Sequence, residues 1–188
     1  ANIFEPLGMT STAFKVSAEM ATRQARLHMR GEDGSLSLPE TTAASAEPDF
    51  DAGGGGLSST VQDYARFTQM ILNKGAHEGR QILAPETVAM MSANQMGDTR
   101  VQKMKTFMPP LSNDAEFFPG VEKAWGLSFM INLTQAPTGR SPGSLSWAGL
   151  GNSYFWIDPA RDIAGIYTTQ LFPFCDEKSL PLFLDFET

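Results

Sequence analysis

The sequence has 188 residues, 41% of them hydrophobic and 19% charged, the makeup of a globular chain long enough to bury a core, with one domain as the default. Its 14 basic residues stand against 21 acidic ones, and the net charge of -7 disfavours a phosphate-backbone partner, because that affinity is carried by Lys and Arg. No run of about 18 apolar residues is present to span a bilayer, and the opening ANIFEPLGM has neither the basic nor the apolar character of a signal peptide.

Neither nucleic acid nor a membrane is expected as a partner. Cys175 is the only cysteine, so no internal disulfide forms, and the compartment stays open. The first residue is not methionine, and a longer chain upstream is expected.

In chain order, Glu5-Pro6-Leu7-Gly8 is an early breaker. Residues 26 to 30 and 35 to 38 read as two short strands joined by the polar turn Gly31-Glu32-Asp33-Gly34, and residues 39 to 52 as a loop. In DAGGGGLSSTVQDYARFTQMILNKG, four glycines lead to Ser58, Ser59 and Thr60 as N-cap candidates, with Gln62 or Asp63 placed for a capping box. Val61, Tyr64, Phe67, Ile71 and Leu72 recur at helical spacing as one apolar face, and Gly75 stands where a left-handed cap is wanted. A second helix starts at Pro85, carries Val88, Met90 and Met91, and ends near Gln95.

Residues 97 to 123, with Pro109, Pro110 and Pro119, have no period and read as a long surface excursion able to border a cleft. Trp125, Leu127, Phe129, Ile131 and Leu133 alternate with Gly126, Ser128, Met130 and Asn132, the period of one strand with one buried face. Strands are expected over residues 144–150, 152–158 and 163–170, the last two joined by a turn at Asp158-Pro159-Ala160-Arg161-Asp162. A short helix is expected over residues 182 to 186.

Gly139-Arg140-Ser141-Pro142-Gly143 matches the G-x-S-x-G pattern of an esterase nucleophile elbow. The residue after that serine must donate its N–H to the oxyanion, and Pro142 has none, so Ser141 is read as a turn residue. His28 and His77 lie far apart in polar settings that read as solvated surface, and no metal site is expected. Gly53 to Gly56 lack the Gly-Lys-Ser/Thr of a phosphate loop and read as a tight approach to a helix N-cap. Asp49 and Asp51 read as a solvated loop and not as an acid/base pair.

The ordered stretches IFEPLGMTST, AGGGGLSSTVQDYARFTQMILNKG, ILAPETVAMM, AWGLSFMI and SPGSLSWAGLGNSYFWIDPARDIAGIYTTQ resemble the C-terminal part of serine hydrolases of the class C β-lactamase and penicillin-binding-protein superfamily, and most of all the family VIII carboxylesterases. The resemblance implies an α/β (α+β) fold, a β-lactamase/transpeptidase-like antiparallel sheet flanked by helices, of which the chain is the C-terminal portion. It implies cofactor-free catalysis by an acylated serine from a Ser-x-x-Lys motif, with a tyrosine of a second motif acting with the lysine as base. A third motif edges the pocket: Lys or His, then Thr or Ser, then Gly in the lactamases, and Trp-Gly-Gly or similar in the esterases.

That third motif falls here on Trp147-Ala148-Gly149. By position, the backbone N–H of Leu150 is the implied oxyanion donor, an interaction worth about 3 to 4 kcal/mol. Gly149 lets substrate approach the backbone, and Trp147 puts an apolar wall where a cation would hold a β-lactam carboxylate, so ester substrates are favoured. The plainer alternative is sheet packing, in which Trp147 joins Tyr154 and Trp156 as a core aromatic.

No Ser-x-x-Lys occurs in the chain; the nearest stretch is Thr12-Ala13-Phe14-Lys15. Tyr64, Tyr154 and Tyr167 sit inside helix or strand patterns and not in a Tyr-x-Asn-like loop. The expectation is a portion that is inactive alone and is completed by an N-terminal segment supplying serine, lysine and tyrosine. Alternatives are a β-lactamase, D-alanyl-D-alanine peptidase or acyltransferase of the same fold, and a non-catalytic binding domain that kept the fold.

Overall fold

The computed structural model describes residues 2–39 and 49–188, so most of the loop expected over residues 39 to 52 lies outside the described residues. The Glu5–Gly8 breaker is a hydrogen-bonded turn, Leu7 N–H to Ile3 C=O at 3.1 Å and Met9 N–H to Phe4 C=O at 2.8 Å, which inserts Leu7 and Met9 into the core. A helix not expected from periodicity, α1 (Ala18–Thr22), is capped by the Ser17 hydroxyl, which accepts from Met20 N–H. The expected hairpin forms as β1 (His28–Arg30) and β2 (Leu36–Ser37).

Helix α2 (Val61–Leu72) starts where the sequence places it: Thr60 Oγ1 accepts from Asp63 N–H at 3.2 Å. The Asp63 carboxylate in turn accepts from Ser11 N–H and the Thr12 hydroxyl, tying the N-terminal segment to the first turn of the helix. Its expected apolar face holds for Tyr64, Phe67, Ile71 and Leu72, which pack onto the sheet-side core. Met70 joins Ile71 among the buried residues, whereas Val61, the first residue of the helix, is exposed. Gly75 has φ 91°, and a Cβ there would lie 2.1 Å from Leu83 O, so glycine alone fits.

Next comes a small hairpin, β3 (Ala76–His77) and β4 (Arg80–Gln81), turning through Glu78 and Gly79, both at positive φ. It buries His77, which sequence reading had placed on solvated surface. Helix α3 (Pro85–Met91) stops four residues before Gln95, because Met91 C=O accepts from Leu127 N–H at 3.1 Å and the chain is drawn onto the sheet.

The segment 97–123 is irregular as expected but is not merely a surface excursion. An isolated bridge between Met104 and Ala115 folds it back, and it buries Ala115, Phe117 and Phe118 over one face of the sheet. The single strand expected over residues 124 to 133 is two strands, β5 (Lys123–Trp125) and β6 (Met130–Asn132), paired antiparallel with Trp125 opposite Met130. The chain reverses through Gly126, whose N–H bonds Phe129 C=O and whose missing Cβ leaves room for Met91 O.

Strands β7 (Leu145–Gly149), β8 (Ser153–Asp158) and β9 (Ile163–Tyr167) complete an antiparallel meander ordered β5-β6-β7-β8-β9. The Asp158 carboxylate closes the β8–β9 turn by accepting from Ala160 and Arg161 N–H. A further short strand, β10 (Leu171–Phe172), runs parallel to β1, a long-range pairing with no local signal. The chain ends in α4 (Ser179–Glu187), longer than expected.

Helices α2 and α3 cover one sheet face, where Met70, Ile71 and Val88 meet Phe129, Ile131, Leu145 and Ile157. Helix α4 and segment 97–123 cover the other, where Phe183 stacks on Tyr154 at 4.7 Å and meets Trp156 edge-on. Each such buried side chain contributes about 2 kcal/mol. Among the described residues no helix is long and apolar enough to cross a membrane, and no group of three or more His, Cys, Asp or Glu is placed to hold a metal ion.

Candidate active site

The ribbon Trp147-Ala148-Gly149 forms the last three residues of β7 and is paired on one side only. Its partners on β8 are Phe155, Tyr154 and Ser153. On the other side β6 reaches only Leu145 and Ser146, and among the described residues no strand is paired with that edge of residues 147–149. A ribbon with one unpaired edge offers backbone N–H and C=O groups to an extended ligand.

Exposure rises along the ribbon, from half-buried Trp147 and Ala148 to exposed Gly149 and Leu150. A Cβ built on Gly149 meets no atom within 4 Å, so the space above its backbone is open. The Trp147 indole is seated edge-on against Trp125, ring centres 4.6 Å apart, and against Phe117 at 6.5 Å. Three aromatics from β5, β7 and the 97–123 segment therefore make an apolar wall. Tyr154 and Trp156 are buried core residues, as the sequence suggested.

After Gly149 the chain turns through Leu150, Gly151 and Asn152. Asn152 has φ 56°, is fully buried, and spans from the turn to the 171–176 segment. Its amide nitrogen donates to Leu171 O and Pro173 O, both at 2.7 Å, and its amide oxygen accepts from Tyr154 O–H at 2.6 Å and Asp176 N–H at 3.0 Å. Sequence reading missed this residue. The one local hint was an asparagine three residues after the motif, a residue type suited to positive φ.

A cavity of about 470 Å³ lies between the N-terminal segment and the start of α2, lined among others by Ser11, Arg23, Leu57, Ser59 and Gln170, and by no residue of 147–152. Gln170 also packs over Gly151, its Nε2 3.2 Å from where a Cβ would stand.

The remaining candidates go to structural roles. Ser141 N–H donates to the Asp158 carboxylate at 2.8 Å in a turn flanked by Gly139 and Gly143 at positive φ, not in an elbow. Beside it the buried Arg140 lies 3.3 Å from the Glu187 carboxylate and 5.0 Å above the Phe118 ring; burial pulls the guanidinium below its usual pKa. Tyr64 is packed against Phe67 and Phe155, and burial pushes its phenol up. Burial likewise raises the Cys175 thiol to about 11, which makes it a poor nucleophile. Lys123 is buried with its ammonium donating to Phe118 O and Val121 O, and burial lowers its pKa. Gly53, Gly54 and Gly55 meet nothing within 4 Å at a Cβ position, so the tight approach expected of the run holds only for Gly56, against Ala52. Asp49 and Asp51 are exposed.

Residues 1–182 match the family described as Beta-lactamase. The chain belongs to the β-lactamase family. It is 32% identical over 179 residues to Protein Rv1367c of Mycobacterium tuberculosis, covering 91% of this chain and 42% of that protein. It is 26% identical over 193 residues to the ML-236A carboxylate methylbutanoyltransferase mlcH of Penicillium citrinum, covering 99% of this chain and 45% of that enzyme. Among solved structures, the LovD6 mutant of simvastatin synthase from Aspergillus terreus superposes with a TM-score of 0.81 at 23% identity, covering 99% of this chain and 46% of that one. The chain thus spans less than half the length of these relatives, and the antiparallel sheet flanked by helices is the fold it shares with the synthase.

Proposed function

We propose that this chain is the third-motif part of a serine enzyme that works through an acyl-enzyme and hydrolyses carboxylic esters. Trp147, Ala148 and Gly149 bind the acyl group along the ribbon, and Leu150 N–H faces the oxyanion. The N-terminal segment of the same enzyme supplies the reactive serine, its lysine and the tyrosine, and the chain alone is inactive. The observation that carries this reading is the one-sided ribbon ending at an open Gly149 and walled by Trp147, with Trp125 and Phe117 behind it. An apolar wall in place of a cation favours neutral acyl groups over the carboxylate of a β-lactam.

Acyl transfer to an alcohol is the second reading, favoured by the similarity to a methylbutanoyltransferase over 99% of this chain. The two readings share the acyl-enzyme and differ in what attacks it, water or an acceptor hydroxyl. The test is an assay of the full-length gene product with p-nitrophenyl butyrate and with nitrocefin, each with and without a soluble alcohol. Ester turnover well above nitrocefin turnover supports the proposal. An ester product in place of free acid when alcohol is present selects transfer. Nitrocefin turnover matching that of the ester overturns the role of the wall, and turnover of neither substrate leaves the non-catalytic domain.

A further inference from the structure

We propose that Asn152 is the positioning residue for the Leu150 N–H, through a buried amide that clamps the β7–β8 turn to the segment that follows β9. The inference rests on the reading of residues 147–150 as the acyl-binding ribbon.

Two requirements meet at this position. The backbone needs positive φ, which Gly, Asn and Asp tolerate best. The surroundings need a side chain that donates twice and accepts twice, toward Leu171 O, Pro173 O, Tyr154 O–H and Asp176 N–H. Only a carboxamide at this reach does both: glycine lacks the side chain, and an aspartate carboxylate has no hydrogens to give. With full burial, each bond lost would leave a polar group of the clamp without a partner.

The backbone on either side of Asn152 is held as well. The single Thr169 hydroxyl hydrogen is shared between Gly151 O at 2.8 Å and Asn152 O at 2.9 Å, and Leu171 N–H donates to Gly151 O at 3.2 Å. Leu150 lies between these fixed carbonyls and the Gly149–Ser153 pair, while its own side chain is exposed. The turn that carries the Leu150 N–H is thus held from outside the ribbon, through the Gly151 and Asn152 carbonyls. A donor aimed at developing charge works only if it is already oriented, which is what such a clamp supplies.

The first test uses the full-length gene product and does not depend on activity. Asn152→Asp keeps the left-handed backbone and removes both donors. Backbone order parameters from 15N relaxation at Leu150 and Gly151 are expected to fall from about 0.85 to below about 0.6 while those of α2 stay unchanged. Unchanged order at Leu150 overturns the inference. Should that variant not fold, Thr169→Val, which removes only the hydroxyl shared by the Gly151 and Asn152 carbonyls, is expected to loosen Leu150 in the same sense, and an unmoved Leu150 again overturns it.

The second test uses the full-length gene product and its ester turnover. Asn152→Asp and Asn152→Gly should each lower kcat by about 100-fold with KM within about twofold. A wild-type kcat in Asn152→Gly would mean that backbone freedom alone matters and would overturn the clamp. If the wild-type product turns over no ester, the acyl-enzyme reading falls, and the relaxation measurement still decides whether Asn152 orders the turn.

Discussion

Gly149 is a position where the fold and the ligand can be separated. Because a Cβ there meets no atom within 4 Å beyond its chain neighbours, Gly149→Val should leave the melting temperature of the full-length gene product within about 2 °C of wild type. Under the proposed function, the same substitution in the full-length gene product should abolish acylation by p-nitrophenyl esters, and wild-type acylation rates would refute close approach of substrate to the backbone. Trp147→Lys restores a cation to the wall and should raise nitrocefin turnover relative to ester turnover; unchanged selectivity counts against the wall. The placement of a half-buried Trp147 beside an open Gly149 was legible because bulk beside bare backbone is a local pattern. Asn152 was not, since its partners come from residues 171–176 and no spacing rule links them to the ribbon.

At the level of elements, strand pairing decides what glycine is for. A Cβ on Gly165 would sit 1.8 to 2.3 Å from the Trp156 ring, so the indole lies flat on β9 only because that residue is bare. Gly165→Ala should cost about 3 kcal/mol, read as a lower urea midpoint, and an unchanged midpoint would show that the ring can move aside.

Helix α2 was legible from its cap to Gly75 because cap, apolar period and terminating glycine agree within one stretch. The β5–β6 hairpin was not. Alternation predicts that Trp125 and Ile131 share a face, but the reversal at 126–129 pairs Trp125 with Met130 and sends Phe129 and Ile131 to the opposite core. A four-residue turn of mixed apolar residues imitates a continuing strand, and only the exposure of Leu127 and the room needed for Met91 O reveal it.

At the scale of the whole molecule, distant parts are joined by buried ion pairs. Arg30 of β1 holds Asp176, which also accepts from the N–H groups of Lys178 and Ser179 at the start of α4. Burial raises the Asp176 carboxyl, and the Arg30 and N–H hydrogen bonds more than reverse it, leaving it below the usual aspartate value. A carboxyl depressed on folding stabilises the native state above its unfolded pKa, about 3.9, and that contribution is lost as pH falls through the folded value. Asp176→Asn should therefore cost about 2 kcal/mol at pH 7 and show a smaller further loss than wild type between pH 7 and pH 3, measured by urea unfolding. Equal losses in both proteins would assign the acid sensitivity elsewhere. None of this was visible in composition, because the partners lie 146 residues apart.

The indole pair behind the ribbon has a further use. Trp125 and Trp147, 4.6 Å apart, stand close enough for their excited states to couple, while Trp156, the remaining tryptophan, is buried beneath α4. Near-ultraviolet circular dichroism of the chain should carry a signature of that pair which Trp125→Phe removes. An acyl chain settling on Trp147 would perturb it without any added dye, so occupancy could be titrated optically.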